Sequence, residues 1–266
     1  MRSVILALTA LLFPLLAPAA TVDGAKVHFT QYGSGPKTVV FVHGWTCDET
    51  SWSAQVPVFE KQYRVVTIDL PGHGKSEFPK DKSLSLDVFA RSIEAVREEV
   101  KAEKIVLVGH SMGAAVIAQY AVKYPTHVAA LVAVDGGFVF GGTARGGNAD
   151  NLKGEAGLKA RETMISSMTT TATPEIKAKV MKMMLTDTPE RTAVEAMLAM
   201  SGPRDTGGPF DLPALGIYAG NRGRTAPPQL PNCKIVEIDG VGHFIMLEKA
   251  DQFNTLLGDF LATVKF

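Results

Sequence analysis

Apolar residues along the chain fall into short unbroken runs separated by stretches of helical periodicity. Thr38 to Val42, Tyr63 to Leu70, Ile105 to Val108, Val128 to Val134, Ala214 to Tyr218 and Lys234 to Ile238 read as strands. The β-branched, unbroken character of the central runs predicts burial on both faces. Lys26 to Tyr32 alternates only in part and is bounded by Asp23-Gly24 and Gly33-Ser34-Gly35-Pro36. It reads as an edge strand, paired with a short strand near Thr21-Val22. Ser51 to Lys61, Leu86 to Val100 and Ala114 to Val122 read as helices, the second with an apolar stripe at Phe89, Ile93, Val96 and Val100. A last helix covers Lys249 to Val264. Alternating strands and helices predict an α/β fold: a mostly parallel sheet with helices on both faces.

The alternation breaks once, after the sixth strand. Gly141-Gly142 and Gly146-Gly147 make a connector, and Leu152 to Met200 is helical in pattern and rich in methionine. Pro174 and Pro189 mark helix starts, each preceded by a threonine that can cap (Thr173, Thr188). Gly202-Pro203 and Gly207-Gly208-Pro209 close the segment. The expected division is a core of 21–137 and 210–266 with a helical cap at 138–209. In open α/β sheets the functional loops lie beyond the strand C-termini, so the insert should cover them. Its thioethers can line an adaptable apolar pocket or simply pack the cap helices.

Composition narrows the classes. The 266 residues are 46% hydrophobic and 20% charged, with zero formal net charge. That leaves no basic footprint for nucleic acid. Arg2 is the only charge before Asp23, Val4 to Leu16 is apolar, and Ala17-Pro18-Ala19-Ala20 supplies small residues. Residues 1–20 read as a secretory signal peptide cut near Ala19 or Ala20, which predicts a secreted or periplasmic protein with no stable membrane insertion afterwards. The apolar run falls short of the roughly 20 residues a bilayer span needs. Cys47 and Cys233 fall at opposite edges of the expected sheet and are not expected to pair. Two isolated cysteines are no metal signature, and no His/Cys cluster has zinc spacing.

The candidate chemistry centres on Gly109-His110-Ser111-Met112-Gly113. This G-x-S-x-G stands between a strand and a helix, the context of a nucleophile elbow. A serine there faces the N-terminus of the helix, where amides and dipole favour negative charge. Serine needs a base, and His243 in Val241-Gly242-His243-Phe244 follows the last strand, at the same edge of the sheet. His28 reads as structural, His73 as a turn residue, His110 as packing beside the elbow, and His127 precedes a strand, at the wrong edge of the sheet. The expected oxyanion donors are the N–H groups of Met112 and of Trp45, in the His43-Gly44-Trp45 loop.

His43-Gly44-Trp45, Asp69-Leu70-Pro71-Gly72-His73-Gly74-Lys75-Ser76, the Ser111 motif and Gly242-His243 with Glu248 stand in the order found in α/β-hydrolases, which the chain resembles from about Val22 to its end. The resemblance implies an eight-stranded or nearly eight-stranded sheet, a Ser–acid–His triad and no metal or cofactor. The acid departs from the family pattern. Where an Asp usually follows the strand Ala214 to Tyr218, Gly220-Asn221-Arg222-Gly223-Arg224 carries no carboxylate. Asp135, at the tip of the strand after the elbow, is the best substitute. Asp239, Asp211, Asp48, Glu155 and Glu162 remain alternatives, as does a Ser–His dyad. The expected activity is hydrolysis of an ester or lactone of a small to medium hydrophobic substrate. Carbon–carbon or amide cleavage on the same site, or a catalytically silent binding protein, are the alternatives.

Overall fold

The computed structural model describes residues 20–140, 149–207, 211–220 and 230–266. The expected leader, the Gly141–Gly147 connector and the Asn221–Arg224 stretch lie outside these, except for Ala20. Strands are β1 (Thr21–Val22), β2 (Ala25–Lys26), β3 (Phe29–Tyr32), β4 (Thr38–Val42), β5 (Arg64–Ile68), β6 (Ile105–His110), β7 (Val128–Val134), β8 (Ala214–Ala219) and β9 (Cys233–Ile238). Helices are α1 (Val56–Phe59), α2 (Leu86–Glu99), α3 (Met112–Lys123), α4 (Gly154–Met168), α5 (Pro174–Met181), α6 (Glu190–Ser201), α7 (Ile245–Glu248) and α8 (Ala250–Thr263). The main sheet runs β3-β5-β4-β6-β7-β8-β9, with only β3 antiparallel to its neighbour.

Every residue of β4, β6, β7 and β8 is buried, as unbroken apolar runs require in a sheet covered on both faces. From β4 the chain steps outward to β5, then back across to β6 and on to β7. Right-handed crossovers therefore put α1 on one face and α2 and α3 on the other. On the α1 face Trp52 lies between Phe41 of β4 and Phe253 of α8, its ring tilted to both, at 4.9 and 6.4 Å between ring centres.

Seven strands form this sheet among the described residues, where an eight-stranded or nearly eight-stranded sheet was expected. The difference lies at Lys26–Tyr32. At Val27 and His28 the backbone leaves the ladder: Val27 N–H donates to Ala20 O and His28 N–H to Ser76 Oγ. The expected strand therefore divides into β2, which pairs only with β1, and β3, which pairs with β5. The insert follows β7, seventh in chain order and fifth in the main sheet. The expected helix Ser51–Lys61 also divides, into a 3-10 turn at Glu49–Trp52 and α1. Pro57, which lacks an N–H, is tolerated only in the first turn of an α-helix.

The insert supplies α4, α5 and α6 between β7 and β8. Thr173 caps α5 by accepting from Ile176 N–H. Thr188 is not a cap. Its hydroxyl donates to Thr46 O at 2.8 Å, tying the insert to the loop after β4. Cys47 and Cys233 are both free thiols. No helix among the described residues is long and apolar enough to cross a membrane.

Candidate active site

Ser111 sits between β6 and α3 with φ of +53°, the left-handed region that costs a non-glycine residue about 1–3 kcal/mol. Close packing holds it there. A Cβ on Gly109 would lie 2.4 Å from Gly113 O, and one on Gly113 would lie 2.5 Å from Val42 O. Strand β6, the turn and α3 approach so closely that neither position admits a side chain. Ser111 N–H donates to Val134 O of the neighbouring strand at 2.9 Å. Met112 opens α3, and the first amides of a helix have no acceptor within it.

Asp135 follows β7 directly, also at positive φ (+42°). Its backbone N–H donates to Ile217 O at 2.8 Å, and its Oδ1 accepts Ala219 N–H at 3.2 Å. Oδ2 accepts Nδ1–H of His243 at 2.5 Å, with Asp135 1% exposed and His243 6%. A carboxylate on Nδ1 leaves Nε2 as the basic nitrogen of the neutral ring. Asp135 thus stands one strand over from the end of β8, which reaches its carboxylate through the Ala219 amide.

The other carboxylates are engaged elsewhere. Asp48 caps the 3-10 turn by accepting Thr50 N–H. Asp211 accepts from Asn232. Glu155 and Glu162 are exposed on α4. Asp239 follows β9 beside Gly220. Of these acids, His243 pairs with Asp135.

Ser111 and His243 line one pocket with Gly44, Trp45, Cys47, His110, Met168, Met184 and Phe244. Met168 and Met184 come from the insert, so two of its methionines do face the pocket. Met183 instead packs on the core, accepting from Ser51 Oγ at 3.4 Å. Trp45 is 4% exposed, and its indole N–H donates to Ala193 O of α6, which joins the pocket wall to the insert.

Two buried histidines support the walls while staying neutral. His43 donates from Nδ1 to Gly44 O at 2.8 Å and accepts Leu70 N–H at Nε2 at 2.9 Å, so its tautomer is set. His110 donates from Nε2 to His243 O at 2.9 Å. Its ring lies 4.6 Å from that of His243. Burial first, and the neighbouring His243 second, hold His110 well below the usual imidazole range. It therefore adds no second cation beside the ring of His243. His110 was expected only to pack. Its grip on the His243 backbone was not legible, because a main-chain acceptor leaves no mark in the sequence.

The remaining histidines lie away from the pocket. His127 pairs with Glu94. His73 is buried against His43, at 5.0 Å between rings. His28 contacts Glu49 at 2.9 Å. His28, Glu49 and Asp69 cluster closely enough to hold an ion. Their oxygens are already occupied: Glu49 Oε1 accepts Lys75 Nζ at 2.9 Å, and Asp69 accepts the amides of Glu49 and Lys75. Burial would raise Glu49, but these hydrogen bonds outweigh it and bring it down to about 2. The Asp69–Ser76 motif thus fastens the loop after β5.

A family model described as the alpha/beta hydrolase fold matches residues 37–159. The match covers less than half of the chain, whose mostly parallel sheet has the same fold. An esterase from Thermogutta terrifontis superposes with a TM-score of 0.77 over 92% of this chain and 96% of that one, at 23% identity. An enol-lactonase from Burkholderia xenovorans LB400 gives 0.78 over 92% and 100%, at 21% identity. The 2-hydroxy-6-oxononadienedioate/2-hydroxy-6-oxononatrienedioate hydrolase of Escherichia coli is 35% identical over 116 residues, 42% of this chain. The chain spans less than half the length of the curated relatives it matches.

Proposed function

We propose that the chain is an exported serine hydrolase that cleaves an uncharged ester or lactone with a small to medium hydrophobic acyl part. The observation that carries this is the joint placement of Ser111 and His243 on one pocket, with His243 Nδ1 on Asp135 Oδ2 at 2.5 Å. Ser111 Oγ attacks the carbonyl carbon while His243 Nε2 takes its proton. The carbonyl oxygen, now anionic, receives the N–H groups of Met112 and Trp45. Asp135 stabilises the imidazolium, which returns the proton to the leaving oxygen. Water activated by His243 then releases the acid and frees Ser111.

The pocket lining favours this over the cleavage of carbon–carbon bonds in dioate substrates named for the Escherichia coli relative. Among the described residues the lining carries no lysine or arginine for a carboxylate, and Trp45, Met168, Met184 and Phe244 make it apolar. Residues 1–20 carry the proposal of export, and the mass of an exported product tests it. Hydrolysis of p-nitrophenyl acetate, butyrate and octanoate tests the activity. The leaderless chain turns these over, the profile falls off at octanoate, and Ser111→Ala abolishes turnover. Equal rates in Ser111→Ala would refute the assignment.

A further inference from the structure

The base is held by more than the acid. Gly242 and His243 run against the C-terminal end of α4 and against Glu248, the last residue of α7. His243 N–H donates to Met168 O at 3.0 Å. That carbonyl lies in the last turn of α4, where the intrahelical partners have run out. Gly242 N–H donates to Glu248 Oε2 at 3.1 Å, and the same oxygen accepts Thr171 Oγ1 at 2.6 Å. Glu248 Oε1 is buried with no hydrogen-bond partner among the described residues. A Cβ on Gly242 would lie 2.8 Å from Glu248 Oε1, 2.8 Å from Met168 O and 2.9 Å from Thr171 Oγ1. The backbone before the base is therefore enclosed on three sides, two of them formed by the insert.

We propose that Glu248 and Thr171 are positioning residues for His243, acting through the Gly242 amide, and that the end of α4 completes the clamp. The inference rests on His243 being the base. Glu248 Oε2 is the joint: one bond holds the loop that carries the base and the other holds the insert. Met168 serves both partners of the reaction. Its carbonyl takes the His243 amide and its side chain lines the pocket. Alignment of Nε2 with Ser111 Oγ thus depends on the insert being seated. Glu248 is half-buried, and an oxygen held out of solvent without a hydrogen bond is costly for stability alone, which sets it apart from an ordinary surface contact.

The test compares Glu248→Ala, Glu248→Gln and Thr171→Val with wild type. Turnover of p-nitrophenyl butyrate is counted per Ser111 reactive toward a fluorophosphonate, so loss of folded protein does not register. The second readout is the low-field proton NMR signal of the hydrogen bond between His243 and Asp135. Glu248→Ala lowers kcat by about 100-fold with KM unchanged, the scale expected for a small misplacement of a reacting group. Its low-field signal is lost. Glu248→Gln keeps an acceptor oxygen and retains both kcat and the signal. Thr171→Val, at an exposed position, falls between them and carries the same test if Glu248→Ala does not fold. Wild-type kcat in Glu248→Ala, or equal loss in Gln and Ala, overturns the proposal. If wild type neither turns over nor labels, the hydrolase assignment fails instead. The clamp is then decided by the signal alone: present in Gln and absent in Ala supports it, and the same in both overturns it.

Discussion

His43 and His110 beside the pocket, and His73 packed behind His43, are buried and uncharged, and each is placed by a main-chain bond rather than by a carboxylate. His73 shows the consequence most clearly. Burial, followed by the nearby His43, brings it down to about 3 from the model-peptide 6.5. A folded-state value below the unfolded one means that its contribution is complete above pH 6.5 and is lost as the pH falls toward 3. Between pH 7 and pH 5 this residue alone costs the protein about 2 kcal/mol of stability. Urea unfolding at the two pH values measures the drop, and His73→Asn shrinks it by that amount. An unchanged drop in the variant would show that His73 is not the group responsible. The places of Ser111, Asp135 and His243 beyond the ends of β6, β7 and β9 were legible in the sequence, since glycines mark each of these turns. The roles of His110 and of the Met168 carbonyl were not, because backbone acceptors have no residue type.

At the scale of elements, the elbow depends on how nearly β6, α3 and the end of β4 touch. Gly113 faces backbone oxygens of Val42 and His43 at 2.5 and 2.7 Å from the position of a Cβ. Backbone cannot swing aside as a flexible side chain can. Gly113→Ala therefore costs about 1–3 kcal/mol, the range for overpacking a tight interior. Denaturant unfolding checks this, and an unshifted midpoint would mean that the elbow has room to spare. The buried strands were readable because continuous apolar runs have one satisfactory home, the middle of a covered sheet. The edge was harder. Lys26–Tyr32 keeps an extended pattern throughout, yet its pairing changes partner at Val27 and His28. Thr188 was misread as a cap for a related reason: a hydroxyl before proline suits a helix start, but here Thr46 O, distant in sequence, wins it.

In the whole molecule the insert is joined to the core around the pocket. Trp45 donates to Ala193 O, Thr188 to Thr46 O and Thr192 to Gly72 O. Lys179 reaches Thr50 O and Ser53 Oγ from α5. These links form between segments far apart in sequence, so hydrophobic pattern announced an insert but not how it attaches. The same folding brings the loop after β4, the end of β6 and the loop after β9 to one pocket, with Asp135 at the end of β7 bonded to His243, and the account stands on that convergence. Its central claim is that an acid on β7 completes the triad. The measurement that tests it most directly is kcat of Asp135→Asn for p-nitrophenyl butyrate beside wild type. Loss of the correct histidine tautomer should lower kcat by about 10³–10⁴-fold. A rate within a few-fold of wild type would contradict the assignment and leave Ser111 and His243 to work without Asp135.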